Sequence, residues 1–278
     1  MTTIDYEVEY NNRARVPEHP EIFARWQRDA TAYRANARGA ELGLAYGPSP
    51  RQTIDLFLAG GDNAPLALFI HGGWWRSLEP TMFSHTAAGP NAHGVTVAVA
   101  GYDLCPQVSI ADIIEQMRQA CLTLWRKQRR RIFVYGHSAG GHLAACLLAQ
   151  DWKSLASDAP ADLVPAAYAI SGVFDLKPLA QISVNADLKL DDAEAWRMSP
   201  VHWKVPPART LDCVVGSLES NEFFRQSKEI VDAWGAQGVA ARYEEITNAN
   251  HFTVVDPLAD ANSAMTKRVV ELATLANK

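Results

Sequence analysis

The stretch from Ile132 to Gln150 constrains this chain more than any other. The apolar run Ile132-Phe-Val-Tyr135 has the length and side chains of a buried strand. It passes without a linker into Gly136-His137-Ser138-Ala139-Gly140, and then into an Ala- and Leu-rich helical stretch from His142 to Gln150. A strand that turns straight into a helix must lay that helix back on its own sheet. The same alternation recurs. Leu66–Ile70, Val95–Ala100, Val164–Ile170, Thr210–Val215 and Val239–Ile246 read as strands. Met82–Ala92, Ile110–Gln128, Glu222–Ala236 and Asp256–Ala276 read as helices. The pattern predicts an α/β fold: a mostly parallel central sheet covered by helices on both faces.

Three segments stand outside this rhythm. Pro20 to Arg38 is predicted as a helix, with Ile22, Phe23, Trp26, Ala30 and Tyr33 on one face. Gly39 and Gly43 then interrupt it, so residues 1–45 form an N-terminal helical extension. Thr53–Leu58 alternates as a strand, and Gly60-Gly61-Asp62-Asn63 is a turn. Residues 171–207 are mixed, with two Trp and several Pro, and read as a small lid-like excursion. At 278 residues the whole chain is expected to be a single domain.

Gly136 to Gly140 fits Gly-x-Ser-x-Gly. On its own this could be an ordinary glycine-rich turn. Its strand–turn–helix setting makes it a nucleophile turn, which lifts the Ser138 hydroxyl clear of the sheet. In such sheets ligands sit beyond the carboxyl ends of the strands. His71-Gly72-Gly73, Glu219 and His251 all fall there too. A serine hydroxyl needs a base, which His251 can be near neutral pH. The base needs a carboxylate, and Glu219 follows a strand at the required end. Its rivals are Asp212, at the strand's start; Glu222, a helical turn further on and expected along the helix surface; and Asp256, expected to cap the terminal helix. The backbone N–H groups of Gly72, Gly73 and Ala139 can hold an oxyanion. Trp74, Trp75 and His137 are the expected pocket residues, with Trp74 turned away from the acyl group; the alternative is a core role for the two tryptophans and a packing role for His137. His19, His85, His93 and His202 read as surface or loop residues, and His142 as a packing residue. The order nucleophile, acid, base is that of the α/β-hydrolase fold.

Composition removes other classes. A net charge of −5 gives no reason to expect nucleic acid, and no apolar run is long enough to span a membrane. Cys105, Cys121, Cys146 and Cys213 form no Cys-x-x-Cys pair and no secretory signal is visible, so reduced thiols in a cytoplasmic protein are expected. There is no His-Glu-x-x-His and no Cys/His cluster, so neither metal nor other cofactor is implied. Monomer and homodimer both stay open.

These residues resemble the kynurenine formamidases (arylformamidases) of the α/β-hydrolase superfamily. His71-Gly72-Gly73-Trp74-Trp75 is similar to that family's His-Gly-Gly-x-Trp oxyanion motif. Gly136–Gly140 with Gly141-His142-Leu143 resembles the nucleophile segment, Glu219-Ser-Asn-Glu-Phe223 the acid segment, and Asn250-His251-Phe252 the histidine segment. The resemblance runs from about Tyr46 to the C-terminus. In one respect the chain departs: the family usually carries Asp where Glu219 stands. The resemblance implies a serine hydrolase that cleaves a small acyl amide through an acyl-enzyme, with the formamide of N-formylkynurenine as the sharpest case. A short-chain carboxylesterase is the alternative, and a catalytically silent hydrolase-fold binding protein the remote one.

Overall fold

The computed structural model describes residues 4–61 and 63–278. Residues 1–3 of the N-terminal extension and Asp62 of the Gly60–Asn63 turn lie outside the described residues.

Eight strands form one sheet: β1 (Ala40–Ala45), β2 (Thr53–Phe57), β3 (Leu66–Ile70), β4 (Thr96–Ala100), β5 (Ile132–His137), β6 (Ala166–Ile170), β7 (Thr210–Gly216) and β8 (Ala240–Ile246). Their order is β1-β2-β4-β3-β5-β6-β7-β8. The first two pairings, β1–β2 and β2–β4, are antiparallel, and the rest are parallel. The helices are α1 (Tyr6–Tyr10), α2 (Asn12–Arg15), α3 (His19–Asn36), α4 (Ala88–Ala92), α5 (Ile110–Gln128), α6 (Ala139–Leu148), α7 (Trp152–Leu155), α8 (Asn185–Leu188), α9 (Asp192–Arg197), α10 (Asn221–Gly235) and α11 (Ala264–Ala276). Among the described residues no helix is long and apolar enough to cross a membrane.

Period-two alternation divides the core. Leu66, Leu68 and Ile70 of β3 point into one apolar cluster, with the inner faces of α5, α6 and α10. Ala67 and Phe69 point into the other, with α3 and α11. This is why β3 reads as a continuous apolar run: both of its faces are covered. α5 spans the residues its periodicity predicts, and begins on a capping box in which Ser109 and Asp112 exchange hydrogen bonds.

Three segments depart from the sequence reading. Gly39 and Gly43 flank and enter an edge strand, not an interruption: β1 pairs with β2, with a register irregularity between Glu41 and Leu44 where Gly43 has φ +73°. The 80–92 segment is a 3-10 helix, Pro80–Ala87, before it becomes α4. The terminal helix is broken: Thr253–Ala259 is a 3-10 turn, and α11 starts later, capped by Ser263. Asp256 therefore caps nothing. It accepts hydrogen bonds from Arg25 (2.7 Å) and the Trp26 indole (3.2 Å), pinning α3 to the strand-end loops. Trp26 is fully buried there, a contact worth about 1.5–3 kcal/mol.

Candidate active site

Ser138 sits between β5 and α6 in a conformation foreign to most L-residues, φ +56° and ψ −117°. Its N–H donates to Ile170 O at 2.8 Å, and its carbonyl accepts the first helical bond, from His142 N–H, at 3.1 Å. The glycines around it are dictated by close approach. A Cβ on Gly140 would lie 1.9 Å from Ile70 O, and one on Gly136 2.3 Å from Gly140 O. The turn thus needs a residue without a side chain on both sides of the serine.

The serine hydroxyl lies 3.1 Å from His251 Nε2, to which it donates. On the far side of the ring, His251 Nδ1–H donates to Glu219 Oε2 at 2.6 Å. The other oxygen, Glu219 Oε1, accepts from Ser171 Oγ at 2.5 Å and from the Gly216 N–H at 2.7 Å. The Glu219 side chain is 0% exposed. Three donors therefore fix a buried carboxylate against one imidazole nitrogen, which sets the ring's tautomer and orientation.

The rival carboxylates are occupied elsewhere. Asp212 is buried at the opposite end of β7 and pairs with Arg268 and Arg242. Glu222 does not run along the helix surface, as the sequence reading expects. It is 3% exposed and accepts from Tyr10 Oη at 2.8 Å and from Arg225. Its burial follows from α1, which covers that face of α10.

The turn after β3 supplies a second group of donors. Among the described residues no acceptor takes the backbone N–H of Gly72, Gly73 or Ala139. Gly72 lies against the serine: a Cβ there would meet Ser138 Cβ at 2.9 Å. His71 explains the local geometry. Its Nδ1–H donates to Gly72 O at 2.7 Å, and its ring stacks on Tyr102 at 4.3 Å and Phe83 at 5.7 Å. The Gly72 carbonyl and the Gly73 N–H belong to one peptide plane, so holding the first orients the second. Tyr102 Oη donates to His71 O at 2.9 Å and locks the same turn.

Trp74 and Trp75 part company, although both have positive φ (54° and 53°). Trp74 lines the cleft and meets Tyr10 edge-on at 6.0 Å. Trp75 is 0% exposed and packs edge-on to His142 at 5.0 Å, in the core beneath α6. It is not a pocket residue: consecutive residues on this turn point to opposite sides. His137 does line the cleft, and its Nε2–H donates to His251 O at 2.7 Å, holding the backbone of the facing histidine.

The cleft over Ser138 has a volume of about 160 Å³. Phe23 and Trp26 of α3 form part of its wall, and so do Ile182, Ser183 and Val184 from the 171–207 segment. Sequence reasoning missed four contributors. Ser171 could have been found, since it ends a strand at the edge that holds the other site residues. Phe223, whose ring lies 4.5 Å from His251, could not, nor could Tyr10 and Asn12, because only tertiary packing brings them there.

Buried histidines surround the site. Burial pushes His71, His85 and His142 down to about 4, and His137 well below its ordinary value. His142 is the packing residue expected, donating from Nε2 to Met198 O at 2.8 Å. His85 is not the surface residue expected: it is 5% exposed, on the 3-10 turn under α3. The folded state keeps these rings neutral, while the unfolded chain binds protons below about 6.5. Stability should thus be fully present above pH 6.5 and fall as pH drops from there towards 4, by about 1 kcal/mol per pH unit for each histidine. Urea unfolding at pH 7.5 and pH 5 measures this; equal midpoints would contradict it.

A serine, a histidine and a carboxylate joined by hydrogen bonds at the carboxyl ends of parallel strands define a hydrolase of the α/β-hydrolase class. Residues 67–255 match the family model described as the α/β hydrolase fold, and the chain belongs to that family. Within it the chain is kynurenine formamidase-like. It is 28% identical over 241 residues to a kynurenine formamidase of Danio rerio, covering 82% of this chain and 80% of that one. It is 29% identical over 240 residues to a kynurenine formamidase of Drosophila melanogaster, covering 81% and 78%. A crystal structure from Silicibacter sp., provisionally described as a thioesterase, superposes with a TM-score of 0.88 at 31% identity, covering 96% of this chain and 99% of that one.

Proposed function

We propose that this hydrolase cleaves the formamide of N-formylkynurenine or a related aryl formamide, with Ser138, His251 and Glu219 as its triad. The observation that carries the reading is the hydrogen-bond series at 3.1 and 2.6 Å, together with three backbone N–H groups that no acceptor takes among the described residues. Ser138 Oγ forms a bond to the formyl carbon, and the carbonyl electron pair moves to oxygen. His251 Nε2 takes the hydroxyl proton, and Glu219 stabilises the resulting imidazolium. The N–H groups of Gly72, Gly73 and Ala139 hold the oxyanion. As the tetrahedral species collapses the C–N bond breaks, and His251 returns the proton to the aniline nitrogen. Water then attacks the formyl-enzyme by the same route and releases formate. No cofactor enters these steps, and the partner is a small molecule.

Two features favour a compact substrate with an aryl leaving group. The cleft over Ser138 is small, about 160 Å³. Its wall is aromatic, with Phe23, Trp26, Trp74 and Phe252. The experiment is a side-by-side measurement of kcat/KM for N-formylkynurenine and for p-nitrophenyl esters of formate, acetate and butyrate. The formamide, and among the esters the formate, should be preferred. Rapid cleavage of butyrate with the formamide left intact would favour the carboxylesterase alternative.

A further inference from the structure

The mouth of the cleft carries charges that the hydrolytic steps do not use. Three charged residues there matter: Glu7, Arg13 and Arg76. Arg76 is matched by an ion pair with Asp187. Glu7 and Arg13 have no ion-pair partner among the described residues. Both are nonetheless held in place. Glu7 accepts from Ser183 N–H at 2.7 Å and Ser183 Oγ at 2.8 Å, which leaves its charge unneutralised. The Arg13 guanidinium lies 5.9 Å from the centre of the Phe23 ring, itself part of the wall. Between them Asn12 is 5% exposed, lines the same cleft, and its Nδ2 has no hydrogen-bond partner among the described residues. A buried amide donor left unpaired is costly, which points to an acceptor supplied from outside.

The segment bearing these groups is anchored firmly. Tyr10 Oη donates to Glu222, and Gln226 Nε2 donates to Tyr10 Oη at 2.7 Å and to Asp175 O at 2.8 Å. The opposite charges of Glu7 and Arg13 are therefore presented at one rim by a fixed support.

Resting on the formamidase reading, we propose that Glu7, Asn12 and Arg13 recognise an α-amino-acid zwitterion on the leaving group, Arg13 and Asn12 taking its carboxylate and Glu7 its ammonium. A guanidinium fork matches a carboxylate geometrically, and the amide adds a further donor. Glu7 does two things: it attracts an ammonium, and it disfavours an acid that lacks one. These are specificity-determining residues, remote from the reacting atoms.

The test uses direct binding, so that it does not depend on turnover. Calorimetric titration of the full-length enzyme compares kynurenine, its des-amino analogue 3-(2-aminobenzoyl)propanoate, and neutral 2-aminoacetophenone. Kynurenine should bind about tenfold or more tightly than the neutral ketone. Arg13→Gln should weaken kynurenine and the des-amino acid and leave the ketone unchanged. Glu7→Gln should weaken kynurenine yet strengthen the des-amino acid, because a like charge is removed. Asn12→Asp, close to isosteric, should weaken both carboxylates. Unchanged unfolding midpoints check that the variants fold. Equal affinities for all three ligands, or a uniform loss in Arg13→Gln, would overturn the proposal. If N-formylkynurenine stays intact while p-nitrophenyl esters are cleaved, the formamidase reading fails instead; the three affinities still decide whether the rim binds a zwitterion.

Discussion

Ser138→Ala is expected to abolish turnover, with a loss in kcat on the order of 10⁴–10⁶. The hydroxyl is the one group 3.1 Å from His251 Nε2, and no neighbouring nucleophile can take its place at the head of α6. The change is small and the site buried, so the unfolding midpoint should stay close to wild type. A fluorophosphonate should label Ser138 in the wild-type protein and nothing in the variant. Full activity in Ser138→Ala, or a mapped adduct at another serine, would sink the assignment. Ser171 is the informative alternative: its hydroxyl donates to Glu219 Oε1 and so serves to hold that carboxylate, whereas the imidazole Nε2 faces Ser138.

Glu219→Gln is expected to lower kcat by about 10²–10³-fold. A glutamine keeps the shape but removes the charge opposite the imidazolium. It also disturbs the wrong-side contacts: the amide must still face Ser171 and Gly216 N–H, both donors to Glu219 Oε1. With its oxygen committed to them, the amide turns its NH₂ group towards His251 Nδ1, which favours the tautomer unable to accept from Ser138. The paired control is Asp256→Asn. That carboxylate is itself partly exposed where it holds Arg25 and the Trp26 indole, and an asparagine can still accept from both, so the change should alter stability by about 1 kcal/mol or less and leave kcat nearly intact. Reversal of the two results, with Asp256→Asn inactive and Glu219→Gln active, would move the acid to Asp256.

Much of this site was legible before any fold was known, because its parts obey local rules. A turn that presents a serine between a strand and a helix needs glycines on both sides, and the 1.9 Å approach of Ile70 O to a Cβ at Gly140 is the physical content of that motif. Strand ends are legible too, since apolar runs stop where the sheet does. Ser138, the His71-Gly72-Gly73 turn, Glu219 and His251 could therefore be assigned to one edge. Continuous apolar runs also distinguished the doubly covered strands from β1, whose exposed edge left only a weak signal.

Whatever depended on which side chains meet across the chain was not legible. Trp74 and Trp75 are identical in type and adjacent in sequence, yet one lines the cleft and the other fills the core, because the turn's backbone sends them apart. Glu222 and Asp256 looked like surface and capping residues until α1 and α3 folded over them. The short helices that carry Glu7, Asn12 and Arg13 hold too few residues for periodicity to register. They are positioned by Tyr10, which reaches Glu222 and Gln226 more than two hundred residues away in the chain. Local sterics and period-two burial, which act between near neighbours, determined the sheet and the edge that gathers Ser138, Glu219 and His251 from the sequence alone. The wall of the cleft and its charged rim rest on long-range contacts, and only the tertiary structure decided them.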